Sequence, residues 1–107
     1  MTETKIYVGL NDSESLRQKH ETALYISVLK NVCRSYGVPF SFSVEEGGYI
    51  HEDGRYTQET SLVLKLIDVK KQTVNDIARD LCAFFHQESV LVTESPVRTY
   101  LVSETLE

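Results

Sequence analysis

Several kinds of residue are scarce in this chain of 107 residues, and each shortage excludes a class of structure. Tryptophan is absent, and there are only two cysteines and two prolines. Cys33 and Cys82 lack the paired spacing of a zinc site or a redox motif, so we expect free, buried thiols. No apolar run approaches the roughly 18 residues that a membrane span needs, and the polar start MTETK is not typical of a signal peptide. We therefore expect a soluble, cytoplasmic protein.

Positive charge is also in short supply. The chain has eleven Lys and Arg residues and sixteen Asp and Glu residues, which gives a formal net charge of -5. This excess of negative charge opposes binding to long nucleic acid or to an anionic membrane. A small anionic ligand is still compatible with it, because two or three local cations or backbone N–H groups suffice to hold one.

The rest of the composition is that of an ordinary globular domain. Hydrophobic residues make up 41% and charged residues 25% of the chain, which is enough for one core. We expect a single α+β domain over residues 1–107. Periodicity and turn residues predict these elements in order: strand Lys5–Leu10, helix Thr22–Tyr36, strand Phe40–Glu45, strand Thr60–Val69, a helix capped by Thr73, and strand Ser89–Thr93. Beyond Ser95-Pro96, the stretch Val97–Val102 either continues this strand after a kink or forms a short fifth strand.

This order predicts a ferredoxin-like split βαβ arrangement, an antiparallel sheet with two helices on one face. Asp53-Gly54 indicates a hairpin turn, and the glycine-rich stretch Glu46–His51 indicates a bulge or a close backbone approach. The polar stretch Ser13–Glu21 is expected to be a loop. The other sheet face is a candidate for contact between subunits, and its predicted residues are Ser41, Ser43, Val63, Lys65 and Ile67.

No convincing catalytic or metal-binding pattern is present. The three histidines, His20, His51 and His86, lie in different elements without a second His nearby, so no metal is expected. Cys82 and His86 share a helix face, but helix packing explains that pair. The sequence therefore predicts a binding protein that is not an enzyme and needs no cofactor.

The end of the second helix leaves alternatives open. Gln87 and Ser89 either satisfy the last helix carbonyls or contact a ligand, and His86 favours the negative end of the helix dipole. Arg98 either neutralises a phosphate or pairs with Glu94 or Glu104.

Four parts of the sequence, in this order and spacing, resemble a family of small phage and prophage proteins. They are Ile6–Asp12 (IYVGLND), Gly48–Gly54 (GYIHEDG), Glu59, and Gln87–Val90 (QESV). The family is the first-described class of Thoeris anti-defence proteins, and the match spans nearly the whole chain. The last segment, with its flanking helix, also resembles a wider bacterial domain family of unknown function.

The resemblance implies a viral sponge for a nucleotide signal. Family members sequester, without cleaving it, the cyclic ADP-ribose made by a host Toll/interleukin-receptor-domain enzyme, and hold it between subunits; some also hold cyclic dinucleotides. For this chain it implies a homo-oligomer, dimer or hexamer, in the cytoplasm of the infected bacterial host. The alternative is an acidic viral inhibitor that binds a host defence protein directly.

Such a nucleotide needs an aromatic or guanidinium plane for adenine, and cations or N–H groups for the diphosphate. The residues of this chain that offer these groups are Tyr49, Phe85, Arg55 and Arg98. The resemblance adds the segment after the second helix as a ligand contact, with His86, Gln87 and Ser89 as the expected residues.

Overall fold

A computed structural model describes residues 1–50 and 52–105 of the chain. The elements are β1 (Thr2–Gly9), α1 (Thr22–Tyr36), β2 (Ser41–Ile50), β3 (Tyr56–Ile67), α2 (Lys71–Phe84) and β4 (Leu91–Pro96). The first helix has the predicted bounds. The second helix begins at Lys71, and the preceding N-cap residue, Lys70, makes no side-chain hydrogen bond to the helix. The predicted cap by Thr73 is therefore wrong.

The four strands form one antiparallel sheet in the order β2-β3-β1-β4, which confirms the ferredoxin-like prediction. Strand β3 lies between β1 and β2, and Leu64 is the partner of both Ile6 and Phe42. Both helices cover the sheet face that carries these residues. Beyond their ends, the segments that follow β1 and α2 meet at one end of the sheet, where the backbone N–H of Ser13 donates to the carbonyl of His86 at 3.1 Å.

The core lies between the helices and this sheet face. The buried stripe of α1 is Tyr25, Leu29, Val32 and Cys33, and that of α2 is Val74, Ile77, Ala78 and Leu81. Both stripes recur at the helical spacing of three and four residues, so each helix buries one side. Burial raises the pKa of the Cys33 thiol to about 11, whereas Cys82 is only half-buried.

The β2–β3 hairpin is longer than predicted. Pairing continues without a bulge from Glu46 opposite Thr60 to Ile50 opposite Tyr56, so the alternative of a close backbone approach is the one observed. A Cβ on Gly48 would overlap the Tyr56 ring. The predicted turn forms, with Gly54 at a φ of 87°, where glycine is favoured because it lacks a Cβ. His51, which the predicted stretch includes, lies outside the described residues.

Neither alternative for the chain beyond Ser95-Pro96, a kinked continuation of β4 over Val97–Val102 or a short fifth strand, is observed. The strand ends at Pro96, and residues 97–105 have no regular secondary structure. Only the first of them extends the sheet pairing, where the N–H of Val97 donates to the carbonyl of Met1 at 2.9 Å. Among the described residues, no helix is both long and apolar enough to cross a membrane.

Candidate functional site

One depression lies at the end of the sheet where β1 runs into its following loop. It has a volume of about 440 Å³ and is called here the acidic pocket. Its walls come from the loop after β1, the distal part of the β2–β3 hairpin and the segment after α2. The lining residues are Asn11, Asp12, Ser13, Leu16, Tyr49, Glu59, Gln87, Glu88 and Ser89.

Glu59 is held in a fixed position at the floor of the acidic pocket. The backbone N–H of Asn11 donates to its Oε2 at 3.0 Å. A Cβ added to Gly9 would lie 2.6 Å from the Glu59 carboxylate, so the glycine lets the carboxylate pack against the β1 backbone. The Glu59 side chain is therefore placed by backbone groups of β1 and of the loop that follows.

Gln87 joins the two loops that form the pocket. Its side-chain amide donates to the carbonyl of Asn11 at 2.5 Å and to that of Phe85 at 3.4 Å. The first bond fixes the loop after β1 against the end of α2, and the second satisfies a carbonyl at the helix end. The structure thus confirms the alternative in which Gln87 satisfies a helix carbonyl; Gln87 also lines the pocket, and its contact with a ligand stays a prediction.

Asp12 is buried beside the pocket, with 6% of its surface exposed. Its Oδ1 accepts the backbone N–H groups of Glu14 at 2.9 Å and Ser15 at 3.1 Å. The hydrogen bond from Ser15, followed by that from Glu14, lowers the pKa of Asp12 from its ordinary value. The carboxyl group is therefore ionised at neutral pH.

A second depression adjoins the first on the far side of Asp12. It has a volume of about 260 Å³ and is called here the cationic hollow. Its lining residues are Asp12, Lys19, His20, Tyr25, Phe84, Phe85 and His86. The nitrogen atoms Lys19 Nζ and His86 Nδ1 lie 3.4 Å and 3.8 Å from Asp12 Oδ2.

The structure brings five of the seven predicted ligand residues to these two depressions. Tyr49, Gln87 and Ser89 line the acidic pocket, and Phe85 and His86 line the cationic hollow. Phe85 is 3% exposed and packs edge-on against Tyr25 with ring centroids 5.2 Å apart. Its ring is thus part of the core as well as of the wall.

The two predicted arginines lie elsewhere. Arg55 follows the hairpin turn, where its Nε is 2.7 Å from Asp53 Oδ2. Arg98 lies in the segment after β4, and neither residue lines the acidic pocket or the cationic hollow. Among residues 1–50 and 52–105, Arg98 forms no ion pair with Glu94 or Glu104.

Sequence reasoning missed most of the charged residues of the site. Asp12 entered only as the last residue of the family-resemblance segment Ile6–Asp12, and Lys19 and His20 lie in the stretch that was expected to be a loop. Glu59 entered only through the family resemblance. One signal was available, since Asn11 and Asp12 directly follow a strand of an open sheet, where side chains from neighbouring loops converge. In the part of the chain that the structure describes, no three His, Cys, Asp or Glu side chains cluster closely enough to hold a metal ion.

Comparison with known proteins shows the fold of this chain. No protein-family model matches the sequence, and no curated protein is significantly similar to it. A phage SAM lyase in the apo state superimposes with a TM-score of 0.69 at 23% identity, covering 99% of this chain and 92% of the lyase. A phage SAM lyase in complex with S-methyl-5'-thioadenosine gives a TM-score of 0.66 at 23% identity, over 88% of this chain and 79% of that one.

A more distant structure has the same architecture. The periplasmic divalent cation tolerance protein CutA from Archaeoglobus fulgidus has a TM-score of 0.51 at 12% identity, covering 92% of this chain and 87% of that protein.

These structures correct the prediction that the chain is not an enzyme. That prediction rested on the lack of a recognisable catalytic pattern. Two of the similar solved structures are lyases whose fold matches nearly the whole chain. The same arrangement of strands and helices thus carries an enzyme, and the missing pattern gives no ground for excluding one.

Proposed function

We propose that this chain binds S-adenosylmethionine in the acidic pocket and cleaves it, as a phage protein directed against bacterial defence. The observation that carries the proposal is the charge of the pocket. Three of its lining side chains are carboxylates, Asp12, Glu59 and Glu88, and none is a Lys, Arg or His. S-adenosylmethionine carries a sulfonium and an ammonium group, and both positive charges are complementary to such a wall.

The fixed position of Glu59 supports a role at the sulfonium. A carboxylate held by a backbone N–H at 3.0 Å needs little reorganisation when a cation arrives beside it. Tyr49 lines the same pocket and offers an aromatic ring, which suits both the sulfonium and the adenine base of the ligand.

The sequence lacks a nucleophilic side chain paired with a general base, and the proposed cleavage needs no such pair. Breaking the bond between sulfur and the γ carbon leaves the electron pair on sulfur, so S-methyl-5'-thioadenosine departs as a neutral group without protonation. The remaining fragment is completed by ring closure of its own carboxylate onto the γ carbon, or by loss of a β proton to a carboxylate such as Glu59. Positioning of the substrate supplies much of the rate in reactions of this kind.

The sequence resemblance implies a different ligand, cyclic ADP-ribose. A diphosphate needs cations or N–H donors, and the acidic pocket has no basic side chain in its lining. Arg55 and Arg98, which the sequence offered for the diphosphate, lie outside both depressions. Charge therefore favours the sulfonium over the diphosphate, while the resemblance and the phage source of the two lyases support the same anti-defence role.

We further propose that the chain works as a homo-oligomer. Three consecutive apolar residues after β4, Tyr100, Leu101 and Val102, are 81%, 101% and 82% exposed. Contiguous apolar surface of this kind favours contact with another protein surface. Sedimentation of the full chain and of a chain ending at Val97 tests this: the full chain should be larger than a monomer, and a monomeric full chain would refute it.

The test of the activity is direct. Purified protein is incubated with S-adenosylmethionine, and the products are separated by chromatography. We expect S-methyl-5'-thioadenosine together with a four-carbon fragment, whose lactone and unsaturated forms are isomers that proton NMR distinguishes. Unchanged S-adenosylmethionine after long incubation would refute cleavage, and binding of cyclic ADP-ribose in the same preparation would replace the proposed ligand.

A further inference from the structure

The cationic hollow is a second binding region that shares one wall residue, Asp12, with the acidic pocket. Its remaining polar lining consists of basic side chains, Lys19, His20 and His86. Aromatic rings form the rest of the wall, and the rings of His20 and Tyr25 lie 5.9 Å apart. A small hollow with donors on one side and aromatic rings on the other suits an anionic group attached to a larger ligand.

Asp12 presents one oxygen atom to the loop and the other to the hollow. Oδ1 receives both backbone hydrogen bonds, whereas Oδ2 faces Lys19 and His86. Their distances of 3.4 Å and 3.8 Å exceed the roughly 2.7–2.9 Å of a charge-assisted hydrogen bond. Oδ2 thus keeps capacity for a donor, and the two basic groups keep capacity for an acceptor.

His86 ends the second helix in a left-handed backbone conformation. It directly follows Phe85, the C-cap of α2, and has a φ of 52°. The next N–H, that of Gln87, donates to the Cys82 carbonyl at 2.9 Å, which is the usual helix end with a left-handed residue. Glycine is the common residue there, since a side chain is disfavoured at positive φ. His86 therefore occupies the position where glycine is usual, and its side chain, 74% exposed, lines the hollow.

We propose that the cationic hollow binds the amino-acid end of the same ligand, with Asp12 as the acceptor for its ammonium and Lys19 and His86 as donors to its carboxylate. This inference rests on the proposed function. The sulfonium is separated from the α carbon by only two methylene groups, so one ligand spans both depressions across Asp12. The hollow then makes the site selective for an α-amino acid over a simple amine or a plain nucleoside.

The test uses a ligand that lacks the carboxylate. Two ligands that the chain cannot cleave are used, the S-adenosylmethionine analogue with a protonated amine in place of the sulfonium and its decarboxylated form, and their binding is measured by titration calorimetry for the wild-type chain, Lys19→Gln and His86→Gly. Lys71→Gln, at an exposed lysine that starts α2, is the control. We expect the wild-type chain to prefer the carboxylate-bearing ligand by about tenfold or more, and both site variants to lose most of that preference.

The His86 variant separates binding from folding. Glycine suits the left-handed position better than histidine, so the melting temperature of His86→Gly should not fall below that of the wild-type chain, while its preference is reduced. Equal affinity for both ligands, unchanged by Lys19→Gln and His86→Gly, would overturn the inference and leave the proposed function intact. Failure of the wild-type chain to bind either ligand would overturn the proposed function and this inference with it.

Discussion

The acidic pocket and the cationic hollow lie side by side, but apart from the shared Asp12 their polar linings differ. The pocket is lined by the carboxylates of Glu59 and Glu88, and the hollow by the basic side chains of Lys19, His20 and His86. Asp12 separates them and borders both. A chain with a net charge of -5 thus has a local cluster of basic groups. Overall charge governs long-range attraction, whereas the charges that line a site determine which ligand it accepts.

The largest effect is expected from removing the fixed charge of the acidic pocket. Glu59→Gln keeps the shape and an acceptor for the Asn11 N–H but loses the negative charge that faces the sulfonium. We expect kcat/KM for S-adenosylmethionine to fall about 100-fold. The matched control is Glu46→Gln, an exposed residue on the neighbouring strand that pairs with Thr60, next to Glu59. Equal activity of the two variants would remove Glu59 from the site.

A smaller effect is expected from Gly9→Ala, which tests how the Glu59 carboxylate is placed. The new methyl group would meet that carboxylate at 2.6 Å, and the carboxylate has to rotate away because it is the end of a flexible side chain. We expect activity to fall roughly tenfold through misplacement of the charge. Gly47→Ala, whose Cβ would meet nothing within 4 Å, is the control and should keep wild-type activity.

Asp12→Asn tests the residue between the two depressions through stability. Because backbone hydrogen bonds lower the pKa of Asp12 in the folded state, its stabilising effect is present above the unfolded pKa of about 4 and is lost as the pH falls through the lower folded pKa. The variant should melt below the wild-type chain at pH 7, and the gap should close towards pH 2. A gap that stays constant across this range, or that Asp68→Asn reproduces, would contradict the account.

The smallest effect is expected from Arg55→Ala. Its side chain already pairs with Asp53 at the hairpin end and lines neither depression. We expect the affinity for S-adenosylmethionine to change less than about twofold, as for an exposed ion pair. A loss of tenfold or more would show that the hairpin folds over the ligand and would restore Arg55 to the site.

The fold was accessible from the sequence because its signals are local and repeated. The stripe of α1 from Tyr25 to Cys33 and the alternation of Leu62, Leu64 and Leu66 each specify one buried face. Gly37, at a φ of 65°, ends the first helix, and glycine is the usual residue at such a left-handed helix end. The predicted cap by Thr73 was wrong, because Thr73, although a residue type that favours caps, lies inside the first turn of α2.

The site was less accessible because its residues meet only through tertiary structure. Asn11 and Glu59 are 48 positions apart, and Asn11 and Gln87 are 76 apart. No local pattern links them, and each alone is typical of a turn or an exposed strand. The aromatic residues proposed for adenine and the arginines proposed for the diphosphate were chosen for their chemistry and not for their position, so Arg55 and Arg98 were named while Lys19 was not.

The central claim is that the acidic pocket selects a positively charged ligand, and calorimetric titration with three ligands at one ionic strength tests it most directly. The ligands are an S-adenosylmethionine analogue with a protonated amine in place of the sulfonium, the neutral thioether S-adenosylhomocysteine, and cyclic ADP-ribose. The account predicts that the cationic analogue binds about tenfold or more tightly than the thioether and that cyclic ADP-ribose gives no binding heat. Tight binding of cyclic ADP-ribose, with no preference between the other two, would contradict it.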